Sequence, residues 1–291
     1  MNKTGSSKSL IRQGWLRALL YFIALGLAAG IAIGAYIVSL PFSHVNTQIL
    51  QSLNPGVVTL MLFVVSMLIT YVFRRWIDRK SIISLGLNFK GYGQDAIAGI
   101  GLAVFILGAS SLLLKATGHL KWMDFIVDPR ALFLAFGSIV LVGFYEELIF
   151  RGYILNNLMD SFPKWMALLI SAGLFAVLHG SFMGLFSLTN GLIMGLILGL
   201  NYIYTRNLWF SICFHITWKF MEGPVLGFSG NDSFQTLLQT ELNGDVNITG
   251  GANGLEGSVI LMAVSLLSAL VFYLILQKKL SPRSQPAPGR I

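Results

Sequence analysis

Eight apolar stretches recur along this chain, at approximately 15–39, 55–73, 95–115, 131–158, 164–182, 188–205, 208–221 and 257–277. Inside lipid every backbone N–H and C=O must find its partner within the protein, so only helices or a closed barrel can cross. Runs of this length suit helices. The expected fold is therefore all-α: a polytopic bundle of about eight transmembrane helices. Composition agrees, since 55% of residues are hydrophobic and 11% are charged, with mean hydropathy +0.74. Those values exclude an ordinary soluble domain. The first run, about 25 residues, is longer than a signal-peptide core and lacks a small-x-small cleavage site, so it reads as a retained helix.

The net charge of +8 is explained by its distribution, and no nucleic-acid partner is expected. With eight spans both termini lie on one side, which collects 15 of the 20 Lys and Arg. The other side has Lys115, Lys121 and Arg130, while Arg151 and Lys219 fall inside spans. This positive-inside bias places both termini in the cytoplasm of an integral membrane protein. It puts Glu222, Asp232, Glu241, Asp245 and Glu256 in one acidic non-cytoplasmic loop. The single cysteine, Cys213, excludes an internal disulfide and a multi-cysteine metal site; its expected role is helix packing.

The organisation expected is a cytoplasmic tail over 1–14, one transmembrane domain over 15–277 with a long non-cytoplasmic loop at 222–256, and a disordered basic, Pro-rich tail over 278–291. Residues 74–94 form a basic linker suited to the lipid headgroup layer or to a topology signal. Gly191, Gly195 and Gly199 at four-residue spacing mark a stripe where another helix can approach closely. The run Gly108-Ala109-Ser110-Ser111 has the same packing character. No internal repeat is visible, which counts against a transporter.

Against this background Glu146-Glu147-Leu148-Ile149-Phe150-Arg151 stands out. Ionisable groups at membrane depth cost roughly 2.5–3.5 kcal/mol each and usually mark function. Glu147 and Arg151 are four apart and share a helix face. Glu146 points about 100° away and has no local partner. His44 and His119 fall in loops near span ends and are assigned no role. His179 and His215 lie in spans, and each alone would suit a hydrogen-bonded bundle histidine. Counting from the cytoplasmic span ends gives depths of ~18 Å for Glu146, ~22 Å for His179 and ~10 Å for His215, so all three can meet in the hydrocarbon core. Two imidazoles with one or two carboxylates are the equipment of metal-assisted hydrolysis, in which a carboxylate takes a proton from water. Burial makes Glu146 the better proton acceptor, while Glu147 stays charged beside Arg151. His-Glu-x-x-His, a Gly-rich phosphate loop and Gly-x-Ser-x-Gly are all absent from the sequence.

Glu146-Glu147-x-x-x-Arg151, Phe175-x-x-x-His179 and His215-x-x-x-Lys219 together resemble the ordered motifs of the CAAX-protease and bacteriocin-processing family of intramembrane endopeptidases, also called CPBP or Abi. The resemblance covers roughly 130–222. It implies a glutamate-dependent membrane metalloendopeptidase in which Glu146 activates water, His179 and His215 complete the site, and Glu147 and Arg151 orient it. It implies the lipid bilayer and a peptide or lipidated protein as partners, with prenylated CAAX proteins as substrates of eukaryotic relatives. Prokaryotic relatives are linked to peptide maturation and bacteriocin immunity, and the compact chain looks more like those of a prokaryotic plasma membrane. A zinc or other divalent cation would be held by Glu146, His179 and His215. The family usually has Asn or Asp where this chain has Lys219, and a protonated lysine repels a cation. Lys219 is expected to approach Glu146 or Glu147, and could stabilise an oxyanion. The competing readings are a degenerate scaffold or immunity protein of the same fold, and a transporter.

Overall fold

The computed structural model describes residues 9–40, 53–180, 184–228 and 236–280. His44, most of the N-terminal tail and nearly all of the C-terminal tail lie outside them. Ten α-helical segments are described: α1 (Gly14–Ser39), α2 (Pro55–Val72), α3 (Gly93–Ala116), α4 (Pro129–Glu147), α5 (Asn156–Leu158), α6 (Lys164–Gly180), α7 (Leu185–Thr205), α8 (Trp209–Phe220), α9 (Val246–Thr249) and α10 (Val259–Leu280). Each of the eight apolar stretches is helical over most of its described residues. Six of the resulting helices are long and apolar enough to cross a membrane, which makes this an integral membrane protein. The other two are shorter. α6 is described over 17 residues, as far as Gly180, and α8 has 12 before a wider turn over Met221–Val225.

Local chemistry explains where helices start. Asn54 accepts from the amides of Gly56 and Val57, with Pro55 at the first position of α2. Asp128 does the same for Arg130 and Ala131 ahead of α4, with Pro129 behind it. These are side-chain caps with proline where its missing N–H costs nothing. Beyond Glu147 the chain continues as a π-helical stretch, Leu148–Leu155, into α5, so that Pro129–Leu158 forms one long rod.

The glycine stripe does what its spacing predicts. A Cβ on Gly195 would stand 2.9 Å from Ala172 Cα, and one on Gly191 would stand 3.3 Å from Ala176 Cα. α7 and α6 therefore pack backbone to backbone, as small residues permit in lipid. Gly143 plays the same part between α4 and α8, where a Cβ would meet Ile216 Cγ1 at 2.8 Å. Ser110 and Ser111 are buried and bond back to the carbonyls of Ile106 and Leu107, so the small residues of α3 are packing residues.

Two features were not legible in the sequence. The first is a small antiparallel sheet pairing β1 (Leu120–Phe125) with β2 (Leu238–Leu242), in which Lys121 stands opposite Glu241. It ties the connection before α4 to the long loop after α8. The second is a buried polar cluster. Arg17 Nη1 donates to Asp78 Oδ1 at 3.0 Å and its Nη2 to Asp160 at 2.7 Å. Arg74 Nη1 donates to Asp78 Oδ2 at 2.8 Å, and the Tyr153 hydroxyl reaches Asp78 Oδ1 at 3.3 Å. Arg17 and Arg74, both among the 15 cations assigned to the cytoplasmic side, are buried. They clasp α1, α2 and the α4 rod together.

Candidate active site

The close approach of α4 and α8 at Gly143 sets the last turn of α4 beside His215. Arg151 Nη1 donates to Glu147 Oε1 at 2.7 Å, the i,i+4 pair expected from spacing, and its Nη2 donates to the Gly195 carbonyl at 3.3 Å. The guanidinium lies 4.4 Å from the centre of the Phe175 ring, a cation–π contact inside the bundle. His215 Nδ1 lies 2.8 Å from the same Glu147 oxygen. One carboxylate thus faces an arginine and an imidazole, and all three side chains are sealed from solvent.

Glu146 turns the other way, as helical geometry requires. Its Oε2 lies 3.1 Å from His179 Nε2 and 3.5 Å from His215 Nε2. The structure brings Glu146, His179 and His215, from three helices, to one point. Their exposure differs: the side chains are 15%, 26% and 0% accessible respectively. His179 is the ring that an incoming molecule meets first. Phe175 forms the wall, stacked on His179 at 4.0 Å and edge-on to His215 at 6.0 Å.

The partners of the two rings decide where their protons sit. His179 Nδ1 is 2.9 Å from the Phe175 carbonyl oxygen. A carbonyl can only accept, so this nitrogen carries the proton. His215 Nδ1 faces the Arg151-paired carboxylate of Glu147 and carries its proton for the same reason. In the neutral rings both Nε2 lone pairs therefore point toward Glu146. His215 Nε2 is buried with no hydrogen-bond partner, and so is Glu147 Oε2. Buried polar atoms left bare are uncommon in folded proteins and call for an explanation. Here one of them faces the carboxylate that has no local partner in sequence.

Imidazole and carboxylate are suitable donor types for the divalent cation that the family resemblance implies. Glu146 Oε2 lies 3.1 and 3.5 Å from the two Nε2 atoms, so Glu146, His179 and His215 are the side chains that would hold such an ion; no step of the mechanism runs through it.

Lys219 departs from expectation. It lies one turn beyond His215, but its ammonium pairs with Glu256 Oε1 at 2.8 Å and stands 3.8 Å from Glu222. The expected ion pair with Glu146 or Glu147 is not formed. Both of those carboxylates already have closer cationic or imidazole neighbours, while Glu222 is three residues along the same helical path. Trp218 is buried and its indole N–H donates to Glu256 at 3.4 Å, so it is a packing residue. Phe220 lies edge-on to Phe136. His119 lies in the connection before β1, with Nδ1 3.0 Å from the Asn243 carbonyl, far along the chain from the site motifs.

Sequence reasoning missed Glu256 and Asn190. Glu256 sits in the 3₁₀ segment Gly251–Gly257, 37 residues from Lys219, and nothing in its local sequence links the two. Asn190 had a readable signal: it is a polar residue inside an apolar span, directly before the glycine stripe.

Residues 128–221 match the family model described as type II CAAX prenyl endopeptidase Rce1-like. The match spans about a third of the chain and contains all six site residues named from the sequence. This match supports the CAAX-protease family that the three ordered motifs resemble. No curated protein matches the chain.

Proposed function

We propose that this protein is a glutamate-dependent intramembrane endopeptidase that hydrolyses a peptide bond of a lipidated protein or membrane-associated peptide, with Glu146 as the base. The observation that carries this reading is the convergence of Glu146 Oε2 with the Nε2 atoms of His179 and His215, at 3.1 and 3.5 Å. Two lone pairs facing a carboxylate call for a proton or another cation among them, and a shared proton is what general acid–base catalysis uses.

In the proposed cycle the proton rests between Glu146 and His179, on His179 Nε2 when substrate is bound. Water sits against Glu146 Oε2 and the bare Nε2 of His215, whose orientation is fixed by Glu147 and Arg151. Glu146 accepts a proton from this water as its oxygen attacks the scissile carbonyl carbon. The protonated His179, the most exposed of the three, donates to the carbonyl oxygen as negative charge grows there. The C–N bond then breaks as Glu146 hands its proton to the departing amine, and the hydroxyl formed from the carbonyl oxygen returns its proton to His179 as the C=O bond re-forms. The products are a new carboxyl terminus and an amine. Atoms and protons balance without a further reagent.

The test is hydrolysis by the purified protein in lipid nanodiscs of an S-farnesyl peptide bearing a C-terminal CAAX sequence, with products identified by mass spectrometry. A defined cut is the expected result. A protein that is folded yet leaves this peptide and its unprenylated counterpart intact ends the protease reading. The proposed orientation, with both termini cytoplasmic and the β1–β2 sheet outside, is checked by an Asn243→Cys variant. The residue is exposed, and an impermeant maleimide added to intact cells should label it. Labelling seen only after permeabilisation reverses the orientation.

A further inference from the structure

The cavity beside His179 contains more than the hydrolytic trio uses. It has a volume of about 20 Å³, and its lining includes Phe175, His179, Asn190, Trp218, Lys219 and Glu256. A space of that size admits about one water. Two of the lining groups are set up for a ligand. The Lys219 ammonium is held between Glu256 and Glu222, but neither Lys219 nor Glu256 is sealed: their side chains are 32% and 23% accessible. Asn190 is buried, its amide N–H group donating to the carbonyls of Glu256 at 2.7 Å and Ser258 at 3.2 Å. Its Oδ1 is left without a hydrogen-bond partner.

We propose that Lys219 reads a carboxylate on the leaving side of the substrate, and that Glu256 occupies that place in the resting protein. This rests on the protease reading, since it assigns a substrate subsite to the same cavity. The geometry is simple. Lys219 follows His215 by four residues, about 6 Å along the helix axis. An extended peptide covers that distance in about two residues. A carboxylate on Lys219 thus stands about two residues beyond the scissile bond. The bare Asn190 Oδ1 supplies an acceptor for a peptide N–H next to that carboxylate. Glu222, three residues beyond Lys219, keeps the ammonium in place when Glu256 leaves, and the partial exposure of Glu256 lets its carboxylate turn to water. The carboxylate has two sources, a free chain end or an acidic side chain, and both present the same chemistry.

Binding to the Glu146→Gln protein in phosphatidylcholine nanodiscs tests this without hydrolysis. Three fluorescent S-farnesyl peptides of one sequence serve as probes: one ending in a free carboxylate, one in a carboxamide, and one in a carboxamide with Asp at the second residue beyond the scissile bond. The free acid should bind at least about tenfold tighter than the amide, the range of one charged hydrogen bond. Lys219→Met should bring that ratio to about one, and Glu256→Gln should raise it severalfold by removing the internal competitor. If the Asp peptide matches the free acid, the side chain serves as well as the chain end; if it matches the amide, only the chain end is read. Equal binding of acid and amide overturns the proposal, and so does a ratio that survives Lys219→Met. If Lys219→Met fails to fold, a ratio unmoved by Glu256→Gln overturns it. A parent that cleaves nothing defeats the protease reading, while the binding ratio still decides the role of Lys219.

Discussion

Two buried polar clusters sit on the long rod of α4 and its π-helical continuation, and they are built to opposite rules. Around Asp78 both carboxylate oxygens are occupied: Arg17 and Tyr153 reach Oδ1, and Arg74 reaches Oδ2. Around Glu146 the carboxylate faces the Nε2 atoms of two imidazoles, and a buried ring nitrogen is left without a hydrogen bond. The difference lies at the carboxylates, since Arg17 Nε in the first cluster is also buried without a hydrogen bond: a carboxylate with both oxygens held by donors is fixed, and one facing a bare ring nitrogen is not. The first cluster clasps helices together. The second is held in place by its surroundings, above all by the Glu147–Arg151 pair, and is free to exchange a proton.

Substitutions at the two carboxylates should separate these roles. Glu146→Gln should lower peptide turnover by about a hundredfold to ten-thousandfold, the usual worth of a positioned base, with little change in thermal melting. Residual turnover near that of the parent would remove Glu146 from the chemistry and erase the contrast. Asp78→Ala should behave in reverse. It leaves two buried guanidinium groups short of their counter-charge and should cost about 3–5 kcal/mol, read as a lowered melting temperature in nanodiscs. Turnover per folded molecule should stay within a few-fold of the parent, and a large loss there would make the clasp part of the catalytic machinery. The smallest effect concerns metal. Because the proposed cycle routes no step through an ion, EDTA or 1,10-phenanthroline should leave turnover unchanged. Loss that is restored by zinc would mean that the trio closes around a cation.

The contrast also marks where sequence reading succeeds. Glu147–Arg151 was legible because its spacing is local, and the glycine stripe because small residues at four-residue intervals have one use in lipid. The trio could be named because three motifs lie on three spans, although the depth count set His215 well apart from the others. That count assumes helices starting from a common plane. α8 starts instead against the turn after residue 85, with Leu208 N–H bonded to the Gly86 carbonyl and the Trp209 indole to that of Leu87. The Asp78 cluster was hidden for a related reason. Arg74 and Asp78 are i,i+4 neighbours in a basic linker that could equally have faced lipid headgroups, and only tertiary packing brings Arg17 and Asp160 to them. Lys219 was misread because its partner Glu256 comes from a distant loop segment, and charge sign alone did not say which carboxylate would win. The β1–β2 pair escaped because its strands lie more than a hundred residues apart.

The unequal exposure of the two imidazoles has a consequence for how water, the second reactant of the proposed hydrolysis, arrives. The His179 side chain is 26% accessible and that of His215 is sealed. Water therefore enters past His179, and the ring that gives up the proton in the proposed cycle is also the one that stands at the door.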